Sequence, residues 1–185
     1  MNLDKAIKKR HSVKRFKLKK PDYGKILEAI EAATKGPLAG NIPTLKFMLI
    51  SDKEKIAQLA EASTQDFVGS THYVVVVCSD PSNCVRSYEK RGEMYCLQQA
   101  GAAIQNFLLK ITEMKLATCW VGAFSDKTVK RILKIPDNVR VDGLFPVGYE
   151  LGKLEQKNKP SLDASVYFDT WKNKYMKPIS KPEAK

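Results

Sequence analysis

The stretch Tyr95–Phe124, YCLQQAGAAIQNFLLKITEMKLATCWVGAF, is the longest weakly charged segment of the 185-residue chain, and it changes character once. From Cys96 to Ile111 the residues Cys96, Leu97, Ala100, Ala103, Ile104, Phe107, Leu108 and Ile111 recur at spacings of three and four. That period places them on one broad apolar face and predicts a buried central helix. Gly101 and Ala102 strip bulk from the same helix. A glycine inside a helix costs about 1 kcal/mol against alanine, so the pair predicts close approach of another backbone. After Lys115 the run Leu116-Ala117-Thr118-Cys119-Trp120-Val121 turns β-branched and aromatic, which predicts a strand. Gly122 closes it, where a chain passing a ligand would want no Cβ.

Working outward, Tyr73–Cys78 is a continuous β-branched and aromatic run, the mark of a strand buried on both faces, and residues 46–50 predict a neighbouring strand. Asp52 suits the cap of a helix with Ile56, Leu59 and Ala60 inward. Pro21-Asp22 opens another, with Ile26, Leu27, Ile30 and Ala33 on one face and Gly36-Pro37 as its stop. The opening residues predict a helix with Leu3, Ala6 and Ile7 inward. Residues 79–91 lack a clear period and predict a loop or helix lead-in. Ser125 or Asp126 caps a short helix carrying Val129, Ile132 and Leu133, and Pro146 suits an edge or irregular strand. His72, at a strand start, predicts a structural histidine satisfied by hydrogen bonding.

With 43% hydrophobic and 28% charged residues, the composition is that of an ordinary single globular domain. We expect that domain over residues 1–171, followed by a basic tail at 172–185. No apolar run approaches the roughly 18 residues of a membrane span, and the N-terminus is polar and basic without a signal-like core, so no membrane role and a cytoplasmic location are expected. Cys78, Cys84, Cys96 and Cys119 form no C-x-x-C pair and are expected as core thiols in a reduced compartment, with no metal site. The net charge of +12 is concentrated at the ends. Residues 1–20 carry nine Lys and Arg against Asp4, residues 153–185 carry eight Lys against four acids, and the rest balances. Such ends suit nucleic acid, or one phosphorylated cofactor gripped from both sides. Aromatics are not interleaved with the basic runs as single-strand stacking requires, which disfavours a small nucleic-acid-binding protein.

Two stretches carry the candidate chemistry. In Lys9-Arg10-His11-Ser12-Val13-Lys14-Arg15-Phe16, Arg10 offers a planar fork for phosphate oxygens, Lys14 a point charge and Ser12 a short hydroxyl donor. In Pro37-Leu38-Ala39-Gly40-Asn41 the small residues allow close approach to a flat ligand, and Asn41 can both donate and accept.

The segment GAAIQNFLLKITEMKLATCWVGAF is similar to the helix and strand at the core of the FMN-dependent nitroreductase family. Arg10-His11-Ser12-x-Lys14 resembles that family's N-terminal R-R-S-x-R, and ILKIPDNVRVDGLFPVGYELG resembles its I-P…P-x-G-Y run. Four motifs stand in order from about Ala6 to Trp171. The resemblance implies an α+β three-layer sandwich with a mixed central sheet flanked by helices, intertwined as a homodimer with two FMN at the interface. It implies that Arg10, His11, Ser12 and Lys14 grip the phosphate and ribityl chain, joined by Lys157 and Lys159. It also sets Pro37, Ala39, Asn41 and Gln65 near the flavin, with backbone N–H groups of Gly122 and Ala123 toward its N5 region. The implied activity is two-electron transfer from NAD(P)H through flavin N5 to an electron-poor acceptor, a nitroaromatic or quinone, by a ping-pong course. No side chain is an evident acid or base. The same fold serves reductive dehalogenation and flavin-consuming benzimidazole synthesis, against which the short middle insertion argues. The family's Ser and Gln-Pro-Trp are replaced by Leu38 and Pro43-Thr44-Leu45.

Overall fold

The computed structural model describes residues 1–152 and 159–176. They fall into two compact units, Met1–Leu154 and Glu155–Lys185. The first holds helices α1 (Leu3–Lys9), α2 (Tyr23–Thr34), α3 (Lys53–Ser63), α4 (Asp66–Gly69), α5 (Ser82–Tyr88), α6 (Lys90–Glu113) and α7 (Asp126–Leu133), and strands β1 (Leu45–Ile50), β2 (Tyr73–Ser79), β3 (Ala117–Thr118) and β4 (Arg140–Gly148). The strands form one sheet in the order β1-β2-β4-β3.

The fully buried β2 follows from helices on both sheet faces. Val75 and Val77 join Phe145 and Val147 against Ile26 of α2 and Ile104, Phe107 and Ile111 of α6. Val74 and Val76 turn the other way with Leu144, toward Ile56 and Leu59 of α3, Val68 of α4 and Val129 of α7. Alternate side chains of one strand thereby enter two cores, as the period of two requires, and the result is the expected α+β sandwich. Phe107 and Phe145 meet edge to face at 5.6 Å. Every pairing recorded among the described residues is antiparallel, so the parallel part of the expected mixed sheet does not lie among them.

Local signals set the helix starts. Asp22 accepts from Gly24 N–H, Asp52 from Lys55 N–H and Ser125 from Thr128 N–H, each satisfying a donor that the first turn leaves open. The residues expected to form a loop or lead-in instead form α5 and the first turn of α6. Leu3 and Ile7 are 63% and 52% exposed, so only Ala6 of the first helix faces inward in this chain. Leu27 and Leu97 are likewise exposed, each on the outer edge of a helix whose remaining apolar face is covered.

The predicted strand after Lys115 is cut to two residues, and Pro146 supplies the reason. Thr118 lies opposite Val147 and Val121 bridges Leu144, so Cys119 falls opposite Pro146 in the same register. Leu144 and Val121 exchange both backbone bonds at 3.0 Å. Two residues on, Pro146 faces the same way without an N–H, and the ladder breaks at Cys119. Pro146 therefore sits in an interior strand beside that break, paired with Val74 on its other side. Gly101 is also not as expected, since a Cβ there would meet nothing within 4 Å.

The second unit contains α8 (Leu162–Ser165). Tyr167 and Trp171 pack edge to face at 4.9 Å, and Lys174 Nζ lies 4.3 Å from the Tyr167 ring centre. No helix among the described residues is long and apolar enough to cross a membrane.

Candidate functional site

The N-terminal motif follows α1 and is laid against the short β3. Val13 N–H donates to Thr118 O at 3.0 Å, and the buried Val13 packs with Phe16, Ala117 and Phe67. Lys17 N–H donates to Tyr149 O, and Leu151 N–H to Arg15 O, which stitches the motif to the chain leaving β4. With Val13 and Phe16 committed to packing, Arg10, Ser12 and Lys14 gather near Cys119. Ser12, Arg10 and Lys14 are near enough to its thiol to act on it electrostatically. Burial pushes the Cys119 thiol up, with Ser12, Lys14 and Arg10 pulling the other way, which agrees with a packed core thiol. Lys14 Nζ stands 5.3 Å from the Phe67 ring centre, a cation held over an aromatic face. Phe67 is carried there by α4, whose N-cap is the half-buried Gln65.

His11 is held at both nitrogens. Nδ1 lies 2.8 Å from Lys9 O and Nε2 2.9 Å from Glu150 Oε1. Both partners are acceptors, so a neutral ring can make only one of these bonds and the imidazolium makes both. The His11 pKa is accordingly raised, first by the Lys9 carbonyl and then by Glu150, against the opposing effects of burial and Arg10. Beyond the Val121 bridge, Gly122 and Ala123 turn outward and are exposed. A Cβ at Gly122 would meet no protein atom within 4 Å, so nothing in this chain demands glycine there.

The second group of candidates is built on α5 and α6. Pro37 is exposed, Ala39 half-buried and Asn41 exposed in a 3₁₀ turn over Ala39–Asn41. Gly40 and Asn41 are consecutive left-handed residues at φ 56° and 55°, a conformation that glycine and asparagine tolerate best. A Cβ on Gly40 would lie 2.2 Å from the Tyr88 hydroxyl, so glycine is required twice over. Below the loop, the buried Gln99 of α6 reaches Ala39, Ile42 and Thr44.

Arg10, Ser12 and Lys14 thus lie together near Cys119 and His11 follows Arg10 in the same segment, while Gln65 caps the helix that carries Phe67; Pro37, Ala39 and Asn41 form a separate group. Lys157 lies outside the described residues, and Lys159 is exposed in the second unit. The side chains near Cys119, the cations Arg10 and Lys14 and the Ser12 hydroxyl, have the chemistry that fits an organic phosphate. Glu150, Cys119, Phe67 and Gln99 escaped the sequence reading, each by a partner far away in sequence. The only signal within reach was Glu150 following the Gly148-Tyr149 pair.

The sequence pattern of the Nitroreductase family matches residues 7–70 and 61–149. A Streptococcus pyogenes protein bearing an NAD(P)H nitroreductase name is 28% identical over 191 residues, covering 86% of this chain and 95% of that protein. The crystal structure of a nitroreductase family protein from Clostridium novyi superimposes with a TM-score of 0.75 at 28% identity, covering 94% of this chain and 96% of the other. An FMN-dependent nitroreductase from Clostridium difficile shares the fold with a TM-score of 0.77 at 22% identity, covering 90% of this chain and 98% of the other. With the family pattern running from the N-terminal cation motif through β4 and this sandwich beneath it, the chain belongs to the nitroreductase family.

Proposed function

We propose that this protein is an FMN-dependent oxidoreductase that takes two electrons from NAD(P)H and delivers them to an electron-poor acceptor such as a nitroaromatic or quinone. The observation that carries the reading is the gathering of Arg10, Ser12 and Lys14 near Cys119, with His11 between Lys9 O and Glu150. Family membership supports it, as do relatives named for NAD(P)H or FMN. When bound, FMN supplies the redox chemistry, taking a hydride from the nicotinamide and giving it to the acceptor.

The chain's own residues bind and orient. Arg10 and Lys14 neutralise the phosphate, Ser12 donates to it, and His11 adds a third charge whose position is set by Glu150. Asn41 and the backbone of Ala39 offer polar contacts to a ring edge, Pro37 a flat apolar wall, and Gln65 an amide. Backbone N–H groups of Gly122 and Ala123 would stabilise charge developing on the ring. Lys157 and Lys159 are proposed to complete the phosphate clamp from the other end of the chain. We place residues 1–171 in one cofactor-binding domain, with 172–185 as a basic tail. The working form is a homodimer in which each FMN touches both chains, which accounts for the exposed Leu3, Ile7 and Leu97 and for the uncrowded Gly101. Four free cysteines, all buried, agree with a reducing, cytoplasmic setting.

Absorbance, mass and turnover of the purified full-length protein test the reading together. The expected result is a yellow dimer that releases FMN on denaturation and oxidises NAD(P)H when a quinone is supplied. A colourless protein that takes up no added FMN overturns it.

A further inference from the structure

Gln99 is 4% exposed, in the middle of the helix that forms the core, where an amide is costly unless every polar atom is bonded. Its partners all belong to the loop between α2 and β1. With the amide oxygen toward Ala39 N–H at 3.3 Å, the nitrogen donates to Ile42 O at 3.2 Å and to Thr44 Oγ1 at 3.1 Å. In the opposite orientation the oxygen accepts from the Thr44 hydroxyl at 3.1 Å but also faces the Ile42 carbonyl, and the nitrogen has only a sulfur acceptor, Cys84 Sγ at 3.5 Å, so the first orientation serves both atoms better. Thr44 is itself buried, and its carbonyl accepts from Asp80 N–H at 2.9 Å, which fixes the loop's exit to β2. One side chain therefore binds the loop before and after the left-handed pair Gly40-Asn41, whose own closing bonds are few: Asn41 N–H to Leu38 O at 3.4 Å and Ile42 N–H to Ala39 O at 3.1 Å. From the far side the Tyr88 hydroxyl presses on Gly40.

We propose that Gln99 is a positioning residue for the redox site: its buried amide holds the Ala39–Thr44 loop so that Asn41 meets the flavin in one orientation, and this sets the relative affinity for oxidised and reduced FMN. The inference rests on the proposed function, since it takes Asn41 to face the flavin. Gln99 touches no cofactor in this account and acts through the loop.

The test uses the FMN-loaded full-length protein and its apoprotein, with Gln99→Met, which keeps the side-chain volume, Thr44→Val, which removes one hydroxyl partner, and Asn41→Ala. Amide exchange of residues 39–44 should quicken about tenfold or more in Gln99→Met, with or without FMN. The ratio of affinities for oxidised and reduced FMN, read as the midpoint potential, should change by about two- to tenfold, the equivalent of one hydrogen bond. Combining Gln99→Met with Asn41→Ala should add little to either single change, because both act through one contact. A loosened loop with an unshifted potential, or shifts that simply add, overturns the inference. Should Gln99→Met fail to fold, Thr44→Val must shift the potential in the same direction as Asn41→Ala, and an unshifted potential there overturns it. Failure of the functional reading looks different: wild type then takes up no FMN while the loop in Gln99→Met still loosens, leaving Gln99 a structural tether only and the inference overturned.

Discussion

The cation cluster at β3 and the loop over α6 are built on opposite principles. In the first, charged groups lie on chain segments fixed by backbone pairing and small apolar contacts, Val13 to Thr118 and Phe16 among Val13, Ala117 and Phe67, with Lys14 over the Phe67 ring and His11 against Glu150. In the second, strain and buried hydrogen bonds fix the backbone itself, through two left-handed residues, the Tyr88 hydroxyl and the Gln99 amide. A cluster of the first kind gives affinity that depends on charge; a loop of the second kind gives geometry that depends on packing. Mutations in the two regions should separate cofactor affinity from cofactor tuning.

The largest effect is expected from Arg10→Ala with Lys14→Ala. Each charge-assisted contact to a phosphate contributes about 1.5–3 kcal/mol, so FMN affinity should drop by at least about a hundredfold. Riboflavin, which has no phosphate, should bind the double mutant and the wild type about equally, by fluorescence titration. Equal loss for both ligands would break the assignment of this region to the phosphate.

Next comes Gly40→Ala, which forces an L side chain to φ 56° and drives its Cβ to within 2.2 Å of the Tyr88 hydroxyl. A cost of about 1–3 kcal/mol in urea unfolding is expected. Tyr88→Phe removes that oxygen and should restore part of the loss, leaving the backbone share. FMN and riboflavin affinities should fall together in Gly40→Ala, the reverse of the first pattern.

A smaller effect concerns pH. The folded-state pKa of His11 lies above its usual value of 6.5. The second bond, which only the imidazolium can make, therefore contributes fully below 6.5 and is lost as pH rises through the raised value, the order expected for a cation stabilised by folding. Lys9 O, Glu150 and Arg10 are the groups that act on it. FMN affinity of wild type relative to His11→Gln should be roughly threefold to tenfold higher at the acid end of that window and converge above it. Taking the ratio of the two proteins cancels the titration of the phosphate itself.

The smallest change is expected for Asn41→Ala, which removes one or two hydrogen bonds of about 0.5–1.5 kcal/mol each. The flavin midpoint potential and the rate of NAD(P)H oxidation should move, while FMN affinity falls only modestly. A mutant with unchanged potential and turnover takes Asn41 out of the site.

Much of this was legible in the chain because it is local. The three-and-four spacing from Cys96 to Ile111 marks α6, the unbroken run Tyr73–Cys78 marks a strand covered on both faces, and Asp22, Asp52 and Ser125 mark helix starts, since cap bonds span two or three residues. The motif around Arg10 and the order of four motifs pointed to the family for the same reason: residue types and their spacing are properties of the sequence. What the sequence could not decide is where two distant segments meet. The partner of His11 is Glu150, 139 residues away, and Thr44 meets Gln99 across 55 residues. The outward turn of Leu3, Ile7 and Leu97 depends on which helix face the sheet already covers. Pro146 was expected on an edge or irregular strand because it lacks an N–H; it lies inside the sheet, on the irregular side where the chain beside it leaves the ladder at Cys119. A pattern tells a residue what kind of neighbour it needs; only the packed sheet and helices determine which neighbour arrives, because that choice depends on register and covered area summed over the whole molecule.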